Sequence, residues 1–188
     1  MGLWEFTFAL SAVILGLALT NIAATIQKLL LAGKRVRWAP EPILLTTVVL
    51  LVIVGVWLTE WFDKDLESVT IGQMLLQVAK LLTLYFAAAS CLPEPEGNGS
   101  VDLLAYFDQT RLLSFGALIL SYFLFQFYYV IDHGWPESWT IWTLQGWFMY
   151  PALYGLLILF RRRWLDILVL SFAIVRYAWS VVGLRLTA

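Results

Sequence analysis

The sequence predicts an all-α protein: a polytopic membrane helix bundle of about six transmembrane helices, with both termini outside the cytoplasm. Three observations carry that expectation. The chain is 61% hydrophobic and only 13% charged, whereas soluble domains carry about 25% charged residues. Its apolar residues gather into runs of the roughly 20 residues that a membrane span needs. The connections between those runs alternate in charge, as the positive-inside rule requires. The whole chain, residues 1–188, reads as a single transmembrane domain.

The runs fall at about 4–27, 43–61, 71–92, 112–131, 139–160 and 164–184. The first continues as helix to Ala32, and Gly33 offers a C-terminal stop. The N-terminus lacks a basic region and a small-residue cleavage site, so this run reads as a retained span rather than a signal peptide. Pro40 and Pro42 favour the start of the second helix. Pro93 and Pro95 end the third. The stretch Pro93 to Arg111 is the longest connection; within it Val101 to Phe107 reads as a short interfacial helix leading into span four. Asn98-Gly99-Ser100 fits a glycosylation pattern that a cytoplasmic placement would make meaningless. Pro151 is expected to kink span five near Trp147 to Tyr150.

Charge sets the expected orientation. Lys28, Lys34, Arg35 and Arg37 lie in the first connection, Arg111 in the third, and Arg161, Arg162 and Arg163 in the fifth. These are eight of the twelve Lys and Arg. The second connection, Asp63 to Glu67, and the fourth, Asp132 to Glu137, share one Lys. The odd connections are therefore expected in the cytoplasm and the termini outside. Arg35-Val36-Arg37-Trp38 and Arg161-Arg162-Arg163-Trp164 echo one another. They mark either related hairpins or basic charge followed by an interfacial Trp, twice.

Several segments carry a resemblance. They are Ile14-Leu15-Gly16-Leu17-Ala18-Leu19-Thr20-Asn21, Arg35-Val36-Arg37-Trp38, and the Trp57/Trp61 end of span two. Leu84 to Glu96, Val101-Asp102-Leu103 and Tyr106-Phe107 complete the set. Together they resemble a group of small, uncharacterised bacterial inner-membrane proteins, over roughly the first two thirds of the chain. The resemblance implies a bacterial cytoplasmic membrane and a six-span layout, and no activity. Span one is also similar to the first helix of certain small prokaryotic potassium channels. Their Phe-Ser-Asp-Gly element is absent, since Phe8-Ala9-Leu10-Ser11 is not followed by Asp-Gly, and no residue is carried over.

The chemistry-bearing candidates are few. Lys80 falls near the middle of span three, with Gln77 and Gln73 three and seven residues before it on the same helical face. A charge at mid-bilayer costs about 2.5–3.5 kcal/mol on insertion scales, so Lys80 is expected to face a polar cavity, to pair, or to snorkel. Arg176 lies about midway along span six. It cannot practically deprotonate, and Glu5, Glu60 and Asp132 are its candidate partners. Without an obvious mid-membrane acid, two such cations would favour anions. Gly16 and Thr20 form a small-xxx-small pair for close helix packing, with Asn21 able to hydrogen-bond across it. Gln126 and Gln145 read as interhelical polar contacts.

Other chemistries find little support. His133 is the sole histidine, and zinc wants several N or S ligands. Cys91 is the sole cysteine, with no partner for a disulfide and no nearby base for nucleophilic catalysis. No phosphate-cradling loop is present, and the near-neutral net charge gives no sign of nucleic-acid binding. The expectation is thus an integral membrane protein without catalytic, metal or cofactor sites. Two roles remain open. One is a small oligomeric channel or transporter with Lys80, Gln77, Gln73 and Arg176 along a polar path. The other is an accessory, sensor or scaffold subunit without a pore, held to a partner membrane subunit.

Overall fold

A computed structural model describes residues 3–62, 70–95, 99–136 and 138–183. The fold is all-α. Six helices follow one another: α1 (Leu3–Ala32), α2 (Pro40–Phe62), α3 (Ile71–Ser90), α4 (Leu103–His133), α5 (Ile141–Leu159) and α6 (Arg163–Gly183). The stretches Glu5–Arg35, Pro40–Glu60, Ile71–Ser90 and Leu103–His133 are long and apolar enough to cross a membrane. The acidic segment Asp63 to Glu67 and residue Asn98 lie outside the described residues.

The helix ends follow local chemistry. Gly33 takes φ 57°, a left-handed conformation that suits glycine. It ends α1 and opens one 3-10 turn, Gly33–Arg35. Pro40 sits in the first turn of α2, where a missing N–H costs nothing. Thr70 and Gln73 form a reciprocal capping box at the start of α3. The Asp102 side chain accepts from the amides of Leu104 and Ala105 and caps α4. Gly134, at φ 81°, ends it.

Two boundaries differ from expectation in a way that matters. The second helix begins at Pro40 rather than residue 43, which brings Glu41 into its first turn. The fourth runs unbroken from Leu103, so the expected interfacial helix and the span at 112–131 are one element. At 31 residues, α4 measures about 45 Å, longer than the hydrocarbon layer. Arg111 therefore sits inside a helix, and is buried, rather than in a connection.

The packing order places the interior. α3 lies chiefly on α4 and α1, α2 on α6, and α4 on α5. The consecutive helices α5 and α6 touch only sparsely. The three basic connections share one end of the bundle. Two short strands, β1 (Val36–Arg37) and β2 (Val101–Asp102), pair in parallel there, Val36 opposite Val101. The Arg163 guanidinium reaches the fully buried Glu41 at 2.7 Å, tying the start of α6 to the start of α2. Hydrogen bonding to Glu41 raises the Arg163 pKa above its ordinary value. Arg37 and Asp102, at 3.2 Å, and Lys28 and Glu94, at 3.0 Å, add bridges exposed to solvent.

Candidate functional site

Lys80 lies on the buried face of α3, 3% exposed. Side chains in a helix lean toward its N-terminus. The Lys80 stem therefore climbs away from the basic end, while Glu60, near the end of α2, leans inward from the other side. Their charged groups meet at 3.1 Å between Nζ and Oε1. Gln77 donates from Nε2 to the same Glu60 oxygen at 2.6 Å and to Ser11 Oγ at 2.9 Å. Ser11 in turn donates to the other carboxylate oxygen at 3.5 Å. Three helices thus converge on one carboxylate: α1 through Ser11, α2 through Glu60 itself, and α3 through Gln77 and Lys80.

Aromatic faces complete the surroundings of the ammonium. Nζ lies 4.4 Å from the centroid of the Phe125 ring and 4.2 Å from that of Tyr128. Both distances are within the range of cation–π attraction. A lysine held by a carboxylate and two rings is compensated in place and has no need to reach an interface.

This cluster forms part of the wall of a cavity of about 620 Å³. Thr59, Glu60 and Gly55 line it from α2, Lys80 from α3, Ser121 and Gln126 from α4. Tyr154 of α5 and Tyr177 of α6 form the far side. Asp132 and His133 stand at its rim, and His133 stacks on Tyr129 with centroids 4.6 Å apart. Tyr150 stacks on Tyr177 at 4.6 Å and Phe115 on Tyr154 at 5.9 Å, which stiffens the α5–α6 side. The Tyr154 hydroxyl is buried and has no hydrogen-bond partner of good geometry, although Tyr177 lies beside it. One turn toward the basic end the interior is solid: Leu84, Phe115, Leu157 and Leu170 are each fully buried.

The other sequence candidates separate. Gln73 belongs to the cap of α3, where its Oε1 accepts from the Thr70 amide and hydroxyl at 2.8 and 2.9 Å. It does not line the cavity. Arg176 is exposed on α6 beside Tyr150, and it does not take Glu60, which Lys80 holds. Two unbalanced interior cations are therefore not what the fold contains, and the expectation of anions loses its basis. Gly16 and Thr20 face outward; a Cβ on Gly16 would meet nothing within 4 Å, and Thr20 Oγ1 donates to the Gly16 carbonyl at 2.8 Å. Asn21, next in line, is half-buried. Among the described residues, no neighbour comes within 4 Å of a Cβ placed on Gly16 to receive the expected packing contact. Gln126 does bridge helices, donating to the Gly146 carbonyl of α5 at 3.2 Å. Gln145 donates to Met149 Sδ in its own helix at 3.6 Å.

Sequence reasoning missed a second cluster. Arg111 makes a two-pronged bridge to Asp166 of α6, both bonds at 2.7 Å, with the two residues 3% and 1% exposed. Arg111 also donates to the Leu157 carbonyl of α5 at 2.8 Å and to Asp108 at 3.1 Å, and lies over the Phe107 ring. The cue was the placement of Asp166 in the first turn of an apolar helix, where an acid suits the helix dipole. Nearby, Ser90 and Ser114 share a hydrogen bond of 2.8 Å between α3 and α4. The buried Cys91 thiol donates to the Ala87 carbonyl. Among the described residues no cluster of His, Cys, Asp and Glu is suited to holding a metal ion.

No protein-family model, no curated protein and no solved structure matches the chain, so the reading of this site rests on its own geometry.

Proposed function

We propose that the chain is a multi-pass protein of a bacterial cytoplasmic membrane that takes a small solute into the cavity beside Glu60 and Lys80 and carries it across. The basic connections then face the cytoplasm, and the cavity mouth and both termini face outward. One observation supports this most: a buried, fully compensated ion pair forms the wall of a cavity open at one end of an apolar bundle. Ionisable groups inside a membrane protein default to a functional role, and pairs bordering a cavity do so most strongly. The packed Leu84, Phe115, Leu157 and Leu170 layer argues for a carrier that alternates rather than an open channel. The resemblance to small bacterial inner-membrane proteins fits the same placement.

The test is reconstitution in liposomes with a solute-flux readout, comparing wild type with Glu60→Gln and Lys80→Ala. Flux in the wild type that both variants abolish supports the carrier. A Ser121→Cys substitution in a Cys91→Ala background reports access to the cavity. Labelling by an impermeant maleimide from the outer face is expected, and absence of labelling counts against the reading.

One observation favours a second role. Arg176 sits on the outer face of α6 among exposed Phe172, Val175 and Trp179. A guanidinium there needs an acid or a carbonyl from another chain, as an accessory subunit or a homo-oligomer would supply. Arg176→Leu would then weaken assembly measured by native mass spectrometry and leave solute binding intact.

A further inference from the structure

The lining of the cavity says which charge it accepts. Glu60 and Asp132 contribute two carboxylates and Lys80 one ammonium, so these three give the wall a formal charge of −1. Lys80 and Glu60 largely cancel at 3.1 Å. What remains is Asp132 at the mouth and a set of aromatic faces. Tyr122, Phe125, Tyr128, Tyr129, Tyr154 and Tyr177 all border the space. The face of an aromatic ring is the negative part of its quadrupole, and it attracts cations whose hydration is weak. The protein already demonstrates that match internally, since its own ammonium lies over Phe125 and Tyr128. An anion entering the cavity would find its one cation already paired, two carboxylates, and π faces of the wrong sign.

We propose that the ligand of this cavity is an apolar organic cation, an ammonium or phosphonium bearing hydrocarbon or aromatic groups. This rests on the carrier reading above. The cation settles among the tyrosines on the α4–α5–α6 side, with Glu60 as its counter-charge. Lys80 pairs with Glu60 while the cavity is empty and yields part of that contact on binding. Pockets of this size suit ligands of drug dimensions, and the buried Tyr154 hydroxyl offers one unused polar contact.

The test uses two probes of nearly equal shape and opposite charge, tetraphenylphosphonium and tetraphenylborate. Saturable binding of each to the detergent-purified full chain is measured near neutral pH. Tetraphenylphosphonium is expected to bind saturably and tetraphenylborate not to compete with it. The double variant Glu60→Gln/Lys80→Met removes both charges and leaves no unpaired ion. It is expected to elute as wild type in gel filtration and to lose about tenfold or more in affinity, the worth of one charged contact. Asp132→Asn at the exposed rim is expected to cost up to about threefold. Unchanged phosphonium affinity in the double variant overturns the proposal. Saturable borate binding that Lys80→Met abolishes also overturns it, yet leaves the carrier reading standing with an anionic solute. If neither probe binds, the cation assignment falls, and failure of Ser121→Cys to label then takes the carrier reading with it.

Discussion

Two buried ion pairs sit near opposite ends of this bundle, and they are built differently. Arg111 and Asp166 meet through two parallel bonds of 2.7 Å, with a backbone carbonyl and a second carboxylate filling most of the remaining donors. Glu60 and Lys80 meet through one contact of 3.1 Å, are steadied by Gln77 and two rings, and border open space. The first pair joins α4, α5 and α6 and lies away from the cavity, with only the Arg111 Nε left without a hydrogen bond. The second joins α2 and α3, engages both Glu60 oxygens, and borders the cavity. Burial alone therefore does not distinguish a structural ion pair from a functional one; the neighbouring void does.

Mutations can break that contrast. The largest effect is expected at the two-pronged pair, Arg111 and Asp166. Asp166→Asn or Arg111→Met leaves a buried charge without its partner, a loss of about 3–5 kcal/mol. The double change Arg111→Met/Asp166→Leu is expected to recover most of it, as read by unfolding in detergent. A smaller loss, about 1–3 kcal/mol, is expected for Glu60→Gln, because the rings and the cavity still serve the ammonium. Equal losses at the two pairs would erase the distinction drawn here. The smallest effect is expected away from both. Gly16→Ala on the open face of α1 should change stability by no more than about 0.5 kcal/mol. A larger change there would reveal a second chain seated on that face.

The sequence made the long-period features legible and hid the tertiary ones. Six helices, the stop at Gly33 and the proline start of α2 each depend on local chemistry, and each appears among the described residues. Lys80 stood out because depth along a span can be counted. Its partner did not, because Glu60 looked like an ordinary residue at a helix end, and only the opposing lean of α2 and α3 brings the two together. Thr70 and Gln73 did carry a readable capping pattern, three residues apart, and reading Gln73 as a cavity residue overlooked it. Arg111 was counted as cytoplasmic charge, and its pairing with Asp166 spans 55 residues that no periodicity connects. The small-residue motif at Gly16 and Thr20 shows the reverse case, a pattern that no neighbour within 4 Å of a Cβ on Gly16 receives among the described residues.

The parallel strand pair at the basic end sets an order of assembly. Arg37 and Asp102 lie 65 residues apart, so the clasp between Val36 and Val101 cannot fasten until the start of α4 has left the ribosome. Until then α1, α2 and α3 pack on one another without that clasp. The nascent chain thus passes through an unclasped stage in which Val36 offers an open backbone edge. Emergence of Val101 and Asp102 ends that stage.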